Sequence, residues 1–165
     1  MKLELATPDQ AVAIAALWQA ASQHLTAAYG QGPWSGERTE KAVLFDMRNA
    51  KVYVLQRRKK IIATLTLGTK KPWAIDRKYF SKCNRPIYLT SMAVAPDWQR
   101  QGIGRRCVEE AAKLVKKWPG DALCLDAYDA VAGAGEFYRK CGFLEVGRAS
   151  YRNVPLIYFE MRTPG

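Results

Sequence analysis

At 165 residues, with 48% apolar and 25% charged side chains, the chain has the length and composition of one globular domain with a substantial core, not of a disordered protein. Its formal net charge of +11 points either to an anionic partner or to a strongly solvated basic surface. No apolar run approaches the ~18 residues of a membrane-spanning helix, and the opening MKLELATPDQ lacks the apolar centre of a signal peptide, which predicts a cytoplasmic protein with no membrane contact.

Residues 2 to 6 read as a short strand. Thr7-Pro8-Asp9 then signals a helix start, with Thr7 as N-cap and Pro8 in the first turn. The helix carries Ile14, Leu17, Trp18, Ala21 and Leu25 on one face, and the single histidine, His24, lies near its end. GQGPWSG (residues 30 to 36) is a loop, and a second helix is expected over 37 to 48, presenting Val43, Leu44 and Met47. KVYVLQ and IIATLTL alternate as two antiparallel strands joined by the basic turn from Arg57 to Lys60. A long connection over 68 to 86 carries Trp73, Tyr79 and Phe80, aromatics that argue for ordered packing. The basic residues are dispersed along the chain, and an anionic ligand accounts for part of that charge. Cys83, Cys107, Cys124 and Cys141 form no C-x-x-C pair, so they read as reduced thiols rather than disulfides or metal ligands.

IYLTSMAV (87 to 94) is a buried strand, stopped by Pro96 and Asp97. Gln99-Arg100-Gln101-Gly102-Ile103-Gly104 follows and opens into a helix with Val108, Ala111, Ala112 and Val115 at helical spacing. A glycine-rich loop at a helix N-terminus exposes backbone N–H groups and the positive end of the helix dipole, a place suited to a phosphate. Such a pair of glycines is also compatible with a plain tight turn, or with a dinucleotide fingerprint in which Asp126 would serve the ribose. The third glycine of that fingerprint is missing, because position 107 is a cysteine. Downstream come a strand over 122 to 127, a helix over 134 to 141 whose start is loosened by Gly133 and Gly135, and an antiparallel pair over 144 to 149 and 155 to 161.

The segment from Gln99 to Gly104 resembles the Q/R-x-x-G-x-G/A motif of the GNAT superfamily of acetyl-CoA-dependent N-acetyltransferases. The segment Ala134-Gly135-Glu136-Phe137-Tyr138-Arg139-Lys140-Cys141-Gly142-Phe143 resembles the A-x-x-F-Y-x-K-x-G-F segment of the same superfamily. The two occur in the expected order. The resemblance implies an α/β fold, a single GNAT domain over 1 to 165, with a mixed, mostly antiparallel sheet flanked by helices in the order β-α-α-β-β-β-α-β-α-β-β. It implies acetyl-CoA as cosubstrate, its pyrophosphate surrounded by the amides of Gln99, Arg100, Gln101, Gly102, Ile103, Gly104 and Arg105. Its pantetheine arm would meet the main chain around Met92, Ala93 and Val94. Tyr138 would protonate the leaving thiolate, since a phenol (pKa about 10) can share a proton with a thiol (about 8.5). No metal is implied.

Many superfamily members carry a glutamate in the strand before the glycine loop, and IYLTSMAV has no carboxylate. Asp126 is the first candidate for the base. Asp129, Glu40, Asp46 and His24 are alternatives, as is a water relayed by Thr90 or Ser91. The asparagine often found three residues before Ala134 is Val131 here, with Tyr128 or Asp129 as possible replacements for its contact. The expected acceptor is an amine of a small molecule or of an amino-acid-like molecule, in a pocket walled by Trp34, Trp73, Tyr79, Phe80 and Tyr151 and reached by direct attack in a ternary complex. A protein amine, a non-catalytic acyl-CoA sensor and, well behind, nucleic-acid binding are the competing readings; a homodimer is common for such enzymes.

Overall fold

The computed structural model describes residues 1–163. Its strands and helices follow the order expected from sequence: β1 (Glu4–Leu5), α1 (Ala11–Tyr29), α2 (Glu40–Asn49), β2 (Lys51–Arg57), β3 (Lys60–Gly68), β4 (Pro86–Val94), α3 (Ile103–Lys117), β5 (Ala122–Tyr128), α4 (Gly135–Lys140), β6 (Leu144–Tyr151) and β7 (Val154–Arg162). Seven strands form a mostly antiparallel sheet in the order β1-β2-β3-β4-β5-β7-β6. Strands β4 and β5 pair in parallel, at Pro86–Ala122, Ile87–Leu123 and Tyr88–Cys124. The chain falls into two compact units, the first made of Met1–Gly68 and Thr90–Ala111, the second of Thr69–Leu89 and the chain from Ala112 onward.

In the first unit, α1 begins behind a short 3-10 turn over Pro8–Gln10, where the Gln10 side chain accepts from the Thr7 N–H at 3.0 Å. The expected apolar face of α1 packs as Ile14, Leu17 and Ala21, joined by Ala11 and Ala15, while Trp18 and Leu25 are half-buried. Ala11, Ile14 and Ala15 close on Val43 of α2 and on Val52 and Val54 of β2. Leu17 and Ala21 meet Ala93 of β4. Helix α2 starts three residues later than the sequence pattern suggests, because Thr39 caps it: the Thr39 hydroxyl accepts from the Ala42 N–H at 3.2 Å. Strands β2 and β3 pair from Lys51–Leu67 to Arg57–Lys60 with a bulge at Leu55/Gln56.

In the second unit, β5 pairs antiparallel with β7 from Ala122–Arg162 to Tyr128–Leu156, and β7 with β6. The connection from Gly68 to Pro86 is ordered by its own buried residues, Ile75 and Phe80, which join Tyr88, Cys124 and Tyr158 in one cluster. Asp121 fastens its end, accepting from the N–H groups of Asn84 (2.7 Å) and Arg85 (2.9 Å). All four cysteines are free. Burial pushes the thiols of Cys107 and Cys124 up to about 12, helped at Cys107 by Glu110 and partly opposed at Cys124 by Arg77.

The basic hairpin turn adopts an expensive backbone. Arg58 (φ 51°) and Lys59 (φ 65°) are both left-handed, the signature of a two-residue type I′ turn that Asn-Gly fills best. The double substitution Arg58→Asn with Lys59→Gly is expected to raise stability by ~1 kcal/mol, read as a higher urea midpoint at unchanged m.

Candidate active site

In the first unit, the chain leaves β4 and enters α3 through a short 3-10 turn, Pro96–Trp98, and a loop in which Arg100 (φ 60°) and Gly102 (φ 81°) are left-handed. A Cβ added at Gly102 would meet nothing within 4 Å. The glycine is therefore required by backbone conformation, and the space beside it is open. The side chains of the two glutamines brace the loop from within: Gln99 Nε2 donates to the Val94 carbonyl at 3.0 Å and Gln101 Nε2 to the Asp97 carbonyl at 2.8 Å. The Arg106 N–H already bonds the Gly102 carbonyl (3.0 Å), so α3 begins as soon as the turn ends. Ile103 is buried and anchors the helix start, while Arg100, Gln101, Gly102 and Arg105 are exposed. This exposed loop leads into the N-terminus of a 15-residue helix, where backbone N–H groups and the positive end of the helix dipole suit an anion such as a pyrophosphate.

Upstream, Ser91 is also left-handed (φ 54°), inside β4 and just before Met92, Ala93 and Val94. Strained backbone at a non-glycine residue concentrates at functional sites. Sequence reasoning missed this conformation. Its only signal is the polar pair Thr90-Ser91 within an otherwise apolar strand.

In the second unit, the half-buried Tyr138 is packed edge-on against Phe137 (5.2 Å) and Phe143 (5.5 Å) and tilted against Phe159 (5.9 Å). Burial, then the charge of Asp126, then Cys141 hold its phenol above the ordinary tyrosine range. Asp126 is half-buried near the end of β5, and desolvation raises its carboxyl above the usual carboxylate range. The fold thus brings Tyr138 and Asp126 into electrostatic range of each other.

The other base candidates are engaged or exposed. Asp129 is bridged by Arg148 (3.3 Å) and Asp46 by Arg38. Glu40 and His24 are exposed on α2 and α1. Val131 is exposed and places no polar group where the family asparagine would be. Gly133, expected to loosen a helix, lies before α4 instead; a Cβ there would stand 1.8 Å from the Tyr128 carbonyl oxygen, so the close approach of two backbones demands the glycine. Of the expected aromatic walls, Phe80 belongs to the core and Trp34 turns back on α1, its indole N–H donating to the Thr26 hydroxyl at 3.2 Å. Trp73, Tyr79 and Tyr151 remain accessible.

A mostly antiparallel sheet flanked by helices, with a left-handed glycine turn at the head of one of them, defines an α/β protein. Residues 48–145 match the acetyltransferase (GNAT) domain. The chain belongs to the GNAT acetyltransferase family, and that membership makes it an acyltransferase. Among solved structures it resembles the ribosomal-protein-S18-alanine N-acetyltransferase from Escherichia coli, at 18% identity and a TM-score of 0.72, over 98% of this chain and 93% of that one. It likewise resembles yncA from Salmonella typhimurium, solved with its cofactor acetyl-CoA, at 13% identity and a TM-score of 0.71, over 99% of this chain and 94% of that one. A third likeness is to aminoglycoside 6'-acetyltransferase type Ii, at 16% identity and a TM-score of 0.71, over 100% of this chain and 99% of that one. No curated protein matches the chain at a significant level. At these identities the likenesses establish the fold.

Because the folded state raises the Asp126 pKa, the native chain holds that proton more tightly than the unfolded one. Its contribution is favourable below the unfolded aspartate pKa of about 4 and is lost as pH rises through the folded value. Asp126→Asn is therefore expected to raise Tm at pH 7, with the gain shrinking as pH falls toward 4, as read by calorimetry across that range.

Proposed function

We propose that this chain, acting as a single acetyltransferase domain, transfers an acetyl group from acetyl-CoA to the amine of a small, amino-acid-like acceptor by direct attack in a ternary complex. The observation that carries the reading is the braced, exposed glycine turn at the head of α3, whose amides suit the pyrophosphate of CoA. Acetyl-CoA, when bound, supplies a thioester carbonyl open to attack and a thiolate leaving group. The amides from Gln99 to Arg105 hold the pyrophosphate. The main chain of Met92, Ala93 and Val94, directly after the left-handed Ser91, receives the pantetheine arm.

Burial keeps the Tyr138 phenol protonated, the form a donor to sulfur needs, while the same shift makes it a weaker acid than a free tyrosine. Asp126 has a carboxyl that desolvation raises above the usual carboxylate range, which makes its carboxylate a better acceptor for the proton of an attacking amine, directly or through one water. The ion pairs at Asp129 and Asp46 favour Asp126 over those two alternatives. Four free thiols support a reducing, cytoplasmic location, and among the described residues no helix is long and apolar enough to cross a membrane. The absence of a carboxylate from β4 favours one second reading, a non-catalytic acyl-CoA-binding module.

Calorimetric titration of acetyl-CoA is expected to show binding that Gly104→Glu weakens at least ~10-fold, because a bulky acidic side chain at the head of α3 obstructs the loop and repels phosphate. Binding with no thiol release across an amine panel would select the non-catalytic reading. Once an acceptor is found, Tyr138→Phe should lower kcat by ~100-fold with KM for acetyl-CoA little changed, the pattern of a lost general acid.

A further inference from the structure

The second unit contains a groove of about 740 Å³ between the segment from Lys71 to Tyr79 and the end of β6 at Ala149–Tyr151. Its most exposed ring is Trp73, which leaves 83% of its surface in water. Indoles are rarely left so bare, and this one does not stand on a loose strand of chain. The Tyr158 hydroxyl donates to the Ala74 carbonyl at 2.5 Å. Lys71 Nζ donates to the carbonyls of Pro72 (2.9 Å) and Ile75 (2.6 Å), and Ile75 is buried. Tyr79 is equally fixed. Its ring lies 5.4 Å from that of Tyr158 and fits against Gly147, where a Cβ would come within 2.4 Å of it. A preformed aromatic surface offers contact area at low ordering cost.

The charge at the groove is cationic. Lys71, Arg77 and Lys78 line it against one carboxylate, Asp76. Arg77 is committed to the Ser81 carbonyl (2.9 Å) and to the sulfurs of Cys124 and Cys83, and Lys71 to its two carbonyls. Lys78 holds an exposed 3.4 Å pair with Asp76, which is easily exchanged. It already rests 5.3 Å from the Tyr79 ring, and Arg152 rests 5.3 Å from the Tyr151 ring beside it. Flat rings with cations over them suit a ligand that is itself flat and negatively charged.

We propose that this groove is a binding site for a small planar aromatic molecule bearing an anionic group, the ring meeting Trp73, Tyr79 and Tyr151 and the anion meeting Lys78. The site stands independently of acetyl transfer. An amine-bearing member of this ligand class is the first acceptor to try, and that last step alone rests on the function proposed above.

The test is calorimetry on the full chain without acetyl-CoA. The probes are indole-3-acetate and adenosine 5'-monophosphate, with indole, acetate and inorganic phosphate as controls. At least one ring-and-anion probe is expected to bind more tightly than ~1 mM and more tightly than either of its parts; which of the two binds separates a carboxylate source from a nucleotide source. Trp73→Ala should weaken that binding about 10-fold. Lys78→Glu should weaken it about 10-fold while leaving indole unchanged. Both side chains are exposed, so both variants should keep the wild-type Tm. Failure of both probes to bind, or binding that neither variant alters, would overturn the proposal. Loss of acetyl-CoA binding in the separate titration would overturn the acetyl-transfer reading and leave this site intact.

Discussion

The passage from β4 into α3 requires backbone conformations that L-residues avoid. Gly102 takes a left-handed φ without penalty, but Arg100 takes one with a side chain attached, at a cost of ~1 kcal/mol. Two side-chain amides offset it: Gln99 ties the loop to the last carbonyl of β4, and Gln101 ties it to the preceding turn. Once those conformations and hydrogen bonds are set, the start of α3, the direction of its first N–H groups and the burial of Ile103 all follow. In the proposed function, a loop organised in this way receives its anion with little further ordering, which is how preorganised donors become effective.

A different constraint governs the second unit, where desolvation sorts the titratable groups. Asp126 and Tyr138 are both shifted toward their protonated forms by burial, and the charge on the first raises the second. Glu145, by contrast, is held below the ordinary carboxylate range by Arg148 and Arg139 and serves a surface network that also includes Asp129. Pairs whose environments favour the uncharged acid are suited to moving protons; carboxylates fixed by arginines are suited to fixing loops. The reaction we propose accordingly uses Asp126 and Tyr138, while Asp129 sits in the arginine network.

The legible parts of this fold were those with period or punctuation. Alternation in KVYVLQ and IIATLTL located β2 and β3, and the helical spacing of Ile14, Leu17 and Ala21 located the buried face of α1. The turn before α3 could be read because Gly102 takes a left-handed φ, which is what a glycine advertises. What resisted reading depends on partners distant in sequence. Nothing local says that Phe80 enters the core beside Tyr158 while Trp73 stays in solvent, since both sit in one aromatic-basic connection. Gly133 looked like a weak helix start because the Tyr128 carbonyl that excludes any Cβ is invisible until the chain folds back. The left-handed position in β4 falls on Ser91, a residue with no conspicuous preference for positive φ, so the strand pattern ran through it.

The buried thiols have a consequence for kinetics of opening. A thiol reacts as its thiolate, and Cys107 and Cys124, both raised to about 12 and both enclosed, have almost none of that form while the structure around them is shut. Each becomes reactive only when its surroundings part. Cys107 belongs to the first compact unit and Cys124 to the second. The native sequence therefore carries one built-in chemical clock in each unit, and alkylation rates at the two positions read how often each opens.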